Sequence, residues 1–344
     1  MQRFTVLSTM FVLLLFSSRI SAQSSISNDS VVPIKLYQGY LIIVQGRLGN
    51  LEKRNLVIDT GAYPSIVSRD VAKKLRLSGH REELRVVDHN LNSQTVSVPH
   101  LQVGPIQVSD VRVMVQNLGP LSAKFGARID AVIGLDVLAH SSFRIDYGEK
   151  TMVFGRVDPL PFAVPLHWRA RMACVDIKIN NQETHLLIDT GAANHLLFSQ
   201  RLPWLKDSSG RMRASTNLGG DFDLREVKVD RLELGNDDLV PREVFVSDTK
   251  NMSPYPFDGM MATGALRQIA FDFERQQFSW LPARMKEEPL RAARSSINLT
   301  SASRLTSQSP QSVPPEVSNP CASNSLDQST GRCAGSVQIW NAER

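Results

Sequence analysis

The sequence has little of what usually marks a metal centre, a phosphate site or a disulfide framework. Three cysteines in 344 residues are too few for a disulfide-stapled fold. Cys174 sits in an apolar, strand-like run and reads as a buried free thiol, whereas Cys321 and Cys333 lie in a polar tail and suit one small disulfide loop in an oxidising compartment. The seven histidines, His80, His89, His100, His140, His167, His185 and His195, show no ligand spacing, so no metal and no cofactor is expected. His195 lies close to a motif described below, but a packed or surface histidine is the favoured reading over a subsite residue. Gly219-Gly220 is too sparse to cradle phosphate and reads as a turn, and no serine-centred nucleophile motif occurs. The formal charge of +5 is spread among interleaved acids and bases, which excludes a nucleic-acid surface.

Long apolar runs are also missing beyond the N-terminus. Residues 4–16 are mostly apolar, follow Arg3, and give way to Ile20-Ser21-Ala22, small enough for cleavage. A membrane helix needs roughly 20 apolar residues, so residues 1–22 read as a secretory signal peptide. Its removal leaves a charge of about +3, no stable membrane span, and a secreted or periplasmic protein. Residues 284–344 are Ser- and Pro-rich and read as a mostly disordered tail, unable to bury enough apolar surface to offset ordering entropy. Asn28, Asn251 and Asn298 fit the glycosylation pattern, which matters only in a eukaryotic source.

What is present, between these ends, is a sequence that repeats itself. Leu56-Val57-Ile58-Asp59-Thr60-Gly61-Ala62 returns as Leu186-Leu187-Ile188-Asp189-Thr190-Gly191-Ala192, 130 residues on. Leu101-Gln102-Val103-Gly104 returns as Leu232-Glu233-Leu234-Gly235, and Gly134 is matched to Gly264. The expected lobes are 31–155 and 163–283, with a proline-containing join over 155–165. Alternating and β-branched runs at 40–44, 96–103, 111–115, 173–177 and 227–234 predict strands, and Gly49-Asn50 and Asn180-Asn181 predict hairpin turns. Ser68 caps a short predicted helix that places Val71 and Leu75 on one face. The fold class is therefore all-β, mainly β with short helices.

The repeated motif carries chemistry. Three apolar residues bury a strand that ends in Asp59 or Asp189. Gly61 and Gly191 let the backbone turn and approach a partner closely, and Ala62 and Ala192 leave room beside each carboxyl. One copy alone is a weak signal, since a strand ending in Asp before a turn is usually structural. Two copies in duplicated halves can face each other across a pseudo-twofold axis. Crowded carboxyls cannot both ionise easily, so they hold one proton between them. Such a pair can activate a water without metal or covalent intermediate.

The doubled Asp-Thr-Gly-Ala, each after three apolar residues, together with Val132-Ile133-Gly134, resembles the aspartic peptidases of the retropepsin and pepsin superfamily. The resemblance implies two pseudo-symmetric, barrel-like lobes with the active site between them, and Asp59 and Asp189 as the catalytic pair. It implies that Thr60 and Thr190 lock the two loops together, and that hairpin flaps near 87–93 and 217–222 cover a peptide or protein substrate. Ala in the fourth position leans toward retropepsin-like lobes fused in one chain, a monomer that is an intramolecular pseudo-dimer; a domain-swapped dimer is the other assembly. A non-catalytic peptide-binding protein of the same fold is the alternative function. Ala262-Thr263-Gly264 departs from the family's apolar pair before glycine, which predicts less regular packing in the second lobe. Neither flap carries a pepsin-type tyrosine, and about ten residues before the first strand are too few for a pepsin-type propeptide.

Overall fold

The computed structural model describes residues 31–206, 208–249 and 255–283. The expected signal peptide, the tail, Cys321, Cys333, Asn28, Asn251 and Asn298 lie outside the described residues. The described chain is mainly β, with three short α-helices.

Each half builds the same sheet. In the first, strand order runs Lys35–Tyr37, Leu41–Leu48, Leu51–Ile58, Ala131–Ile133, Ile66–Ser68, Ile106–Gln116, Asn90–Val103, Gly79–Arg85. Leu41–Leu48 also pairs with Asn90–Val103, which closes most of the sheet on itself. The second half repeats this order with His167–Arg169, Met172–Ile179, Gln182–Asp189, Gly259–Ala262, Leu196–Phe198, Glu243–Ser247, Gly220–Lys228 and Arg211–Asn217. The Gly49-Asn50 turn joins Leu41–Leu48 to Leu51–Ile58, and Asn180-Asn181, both at positive φ, joins the matching pair in the second half. Asparagine tolerates that left-handed backbone better than most residues.

One expected strand is broken. Residues 227–234 form the end of Gly220–Lys228 and the separate strand Leu232–Leu234. Between them the chain wraps the Asn180 turn, where the Asn180 side-chain oxygen accepts from the N–H groups of Asp230 (2.8 Å) and Arg231 (3.0 Å). The equivalence at Leu101 and Leu232 nevertheless holds in three dimensions: they pair with Leu48 and Ile179, and Gly104 and Gly235 share φ of +55°. The Arg69–Lys74 helix starts at Ser68, whose hydroxyl accepts from the Val71 N–H.

A third, six-stranded sheet draws on both halves, in the order Val31–Pro33, Thr151–Phe154, Phe143–Asp146, Leu266–Asp272, Gln277–Pro282, Phe162–Pro165. The halves meet where Phe143 pairs with Phe271 and Ile145 with Ile269. All four are buried, and the two phenyl rings lie 4.8 Å apart. The join contributes its own strand, stacking Phe162 on Trp280. This sheet fixes the relative position of the lobes. Phe271→Ala is expected to cost about 3–5 kcal/mol, the range for emptying a buried phenylalanine site. A urea titration of wild type and variant measures it.

Candidate active site

The two repeated aspartates end equivalent strands. Leu51–Ile58 lies between an antiparallel neighbour, Leu41–Leu48, and a parallel one, Ala131–Ile133, so Leu56, Val57 and Ile58 are wholly buried. The Asp59 N–H donates to the Ile133 carbonyl (3.0 Å), and the Ala62 N–H closes a tight turn onto the Asp59 carbonyl (3.2 Å). The Gly61 N–H donates to Asp59 Oδ1 and the Gly191 N–H to Asp189 Oδ1, both at 2.8 Å.

The structure brings the two loops together. Thr60 N–H donates to Thr190 Oγ1 (3.0 Å) and Thr190 N–H to Thr60 Oγ1 (3.1 Å). Each hydroxyl then donates across the interface, Thr60 Oγ1 to the Ile188 carbonyl (2.7 Å) and Thr190 Oγ1 to the Ile58 carbonyl (3.0 Å). A Cβ on Gly61 would lie 2.5 Å from the Asp189 carboxyl carbon, and one on Gly191 2.7 Å from that of Asp59. Only glycine permits this approach, so each lobe's carboxyl rests on the other lobe's turn. Both aspartates are fully buried, and among the described residues no N–H or hydroxyl group reaches their Oδ2 atoms. Burial, and then the neighbouring Asp189 carboxyl, raise the Asp59 pKa well above the ordinary carboxylate range. Burial also raises that of Asp189, against the opposing pull of the Gly191 N–H.

The parallel neighbours of the two loops correct one expected equivalence. Ile58 pairs with Ile133, 75 positions later, but Ile188 pairs with Met261, 73 positions later. The counterpart of Gly134 is therefore Ala262, not Gly264, and Met260 and Met261, both buried, fill the places of Val132 and Ile133. The apolar pair is present in this lobe, and its strand is as regular as that of the first. Gly264 instead packs against the first lobe, where an added Cβ would lie 2.6 Å from that of Tyr40.

Several side chains around the pair carry no signal in the sequence. Asp136 accepts from the Ser65 N–H (2.9 Å) and hydroxyl (2.6 Å), and Ser65 Oγ accepts from the Gly134 N–H (2.9 Å). This bracket ties the strand after Asp59 to the element beside it. His195 occupies Ser65's place in the second half; it is buried, which lowers its pKa to about 4 and keeps it neutral. That is the packed-histidine reading. Tyr40 and Tyr147 are buried phenols whose pKa values are pushed up by burial and by the Asp189 charge, and the Tyr147 hydroxyl bonds Thr263 Oγ1 (2.6 Å). Its closeness to the second motif drew attention to His195 in the sequence, and the 130-residue offset from Ser65 gives its matching place.

The two expected flaps are hairpins, Gly79–Arg85 with the start of Asn90–Val103, and Arg211–Asn217 with Gly220–Lys228. Their turns meet across the lobes. Asn217 Nδ2 donates to Asp88 Oδ1 (2.8 Å), and a Cβ on Gly219 would strike the His89 ring. Leu84 and Leu218 pack into the apolar cluster that includes Tyr40 and Ala62, and Arg85 lies over the Tyr255 ring at 5.7 Å.

Residues 44–137 match the model of the family described as aspartyl protease. This stretch of the first lobe is similar to the aspartyl protease family. The matched stretch holds Asp59 to Ala62, the Ser65–Asp136 bracket and the Val132-Ile133-Gly134 element, and ends before the second lobe. No curated protein matches the chain. The match supports a protease-type function in general terms.

The raised carboxyl values have a consequence for stability. Between the ordinary value of 3.8 and the raised one, the folded protein keeps a proton that the unfolded chain releases. The contribution of these groups to stability is thus fully present in acid and is lost as pH rises through that window. Asp189→Asn removes one such group. Its melting temperature is expected above that of wild type at pH 7, by about 2–4 °C for each kcal/mol relieved, with the two converging toward pH 4. Calorimetry at both pH values checks this.

Proposed function

We propose that this chain is an aspartic endopeptidase in which Asp59 and Asp189 share one proton and activate a water against a peptide bond. The observation that carries the reading is the crowding of two buried carboxyls, each seated on the other lobe's glycine. Taking a second charge into this site is unfavourable, so one carboxyl stays protonated where an isolated pair would not. The ionised carboxyl takes a proton from the water, while the protonated one donates a hydrogen bond to the scissile carbonyl. The water oxygen bonds to the carbonyl carbon, the carbon–nitrogen bond breaks, and a proton passes to the leaving amine. The pair titrates as a unit, so the acid and base roles belong to the dyad rather than to a named member.

Thr60 and Thr190 hold the loops, Gly61 and Gly191 supply both the N–H to each inner oxygen and the space for the opposite carboxyl, and Ala62 and Ala192 line the turn. The substrate is a peptide lying extended between the lobes under the two hairpins. The protein acts outside the cytoplasm as a monomer, delivered by residues 1–22. Casein or a peptide library incubated with wild type, Asp59→Asn and Asp189→Asn tests the dyad, with a statine-type inhibitor as control. Either substitution should abolish turnover, by about three orders of magnitude or more. Full activity in either variant refutes the shared dyad, and peptide binding without cleavage by wild type supports the non-catalytic alternative.

Alanine at 62 and 192 also sets the pH range. A hydroxyl there could donate to the ionised carboxyl and lower its pKa; a methyl group cannot. With both carboxyl values raised by burial, activity is expected to peak at mildly acidic to near-neutral pH, and Ala192→Ser to move the acidic limb of the profile downward. A kcat/KM profile for both proteins measures the shift, and a wild-type peak near pH 2 contradicts it.

A further inference from the structure

The two ends of the cleft are equivalent by duplication but differ in chemistry. Tyr63 follows Ala62, and 130 residues later Ala193 follows Ala192. A hairpin turn from the opposite lobe stands by each. On one side three residues, Gln38, Gly39 and Tyr40, join Lys35–Tyr37 to Leu41–Leu48. Ala193 packs on the apolar cluster that holds its neighbour Tyr40. On the other side the tip is Ala170-Arg171, between His167–Arg169 and Met172–Ile179. The Arg171 guanidinium lies over the Tyr63 ring at 5.3 Å, and its Nη1 donates to the Tyr63 hydroxyl at 3.1 Å.

Resting on the peptidase reading of this cleft, we propose that Arg171 binds an acidic side chain of the substrate, and that this fixes the direction in which the peptide lies. Arg171 is exposed, and among the described residues it makes no ion pair. The acid on its own strand, Asp176, is held by His185 (2.6 Å) and His167 (3.4 Å). Arg169, at the same tip, has a buried Nε without a hydrogen-bond partner. The exposed guanidinium of Arg171 therefore stands at this end, where the other end offers Gln38 and Gly39 at its turn.

The backbone adds a second argument. Arg171 has φ of +67°, and Gly39 in its place has +81°. A side chain in that region costs about 1–2 kcal/mol, a cost that glycine escapes. Stacking on Tyr63 orients the charge while leaving it without a counter-ion. In a cleft with low-dielectric walls such a charge attracts an anionic group, and a guanidinium fork can bind a carboxylate through two hydrogen bonds.

The test is a positional scan with short peptides built around one scissile pair, with Glu or Gln placed at each position in turn. It is read in two ways on the full chain: kcat/KM with wild type, and equilibrium binding by fluorescence anisotropy with Asp189→Asn. One position, a few residues to one side of the scissile pair, should favour Glu over Gln by about threefold to fivefold. The advantage should fade as salt is raised. Arg171→Glu should reverse the preference at that position in favour of Lys. Equal treatment of Glu and Gln at every position in both measurements overturns the proposal, as does a Glu preference that survives in Arg171→Glu. If wild type cuts nothing, yet the binding measurement shows the Glu preference and its reversal, the peptidase reading fails and the assignment of Arg171 stands.

Discussion

Two acid groups from opposite halves of the chain are crowded into a buried space, and the surrounding structure keeps them there. Four hydrogen bonds from Thr60 and Thr190 cross the interface, and all of their atoms are buried. Each such bond has a modest net value, about 0.5–1.5 kcal/mol. Their effect is geometric. Sliding one lobe by an ångström breaks the threonine bonds and drives a glycine turn into the opposite carboxyl, because Gly61 and Gly191 already sit at the closest approach that a missing side chain allows. Behind the loops, the parallel strands Ala131–Ile133 and Gly259–Ala262 hold the ends of the aspartate strands, and the six-stranded sheet joins the halves at the Phe143–Phe271 pair.

Duplication supplied the symmetry that the pair requires, but the halves have since been used differently. Near Asp59, a Ser65–Asp136 bracket ties the loop to its neighbouring element. Near Asp189, the same place holds His195, whose Nδ1 is buried without a hydrogen-bond partner among the described residues. Tyr147, from the first half, bonds Thr263 in the second, and Gly264 packs on Tyr40. The second lobe thus receives from the first part of the support that the first builds for itself. The two carboxyls consequently have unlike surroundings, with both tyrosines feeling the charge of Asp189.

How much of this was legible follows from where each contact lies along the chain. The aspartate motifs, the hairpin turns and the capped helix at Ser68 are local: each is specified by a few adjacent residues, and a repeat makes them visible twice. The match of Gly134 to Gly264 was misleading because loop lengths between the strands differ by two, and register is set by pairing rather than by count. The break in the 227–234 strand was hidden for a similar reason. It depends on the Asn180 side chain, some fifty residues away, capturing two backbone N–H groups. Asp136, Tyr40 and Tyr147 gave no signal, since one buried acid or phenol looks like any other until the fold sets it beside its partners.

The closure over the aspartates is of a different kind from the lock beneath them. The hairpin tips meet through a hydrogen bond between Asn217 and Asp88, the contact of Gly219 with the His89 ring, and Leu218 seated on the first lobe's cluster, and Thr249 Oγ1 also donates to the Asp88 carbonyl at 3.5 Å. The Asp88 carboxylate also faces His89 Nδ1 at 2.8 Å, so its charge is not spent on Asn217 alone. Below, the loops are joined by buried bonds from both threonines and by the shared sheet. On the proposed peptidase reading, a peptide needs a path to carboxyls that are fully buried. Separating the tips disturbs contacts between side chains and turns, whereas separating the lobes breaks the threonine lock and the Phe143–Phe271 pairing together. The economical route runs between the hairpins, which leaves the spacing of the two acids unchanged while the cleft is open.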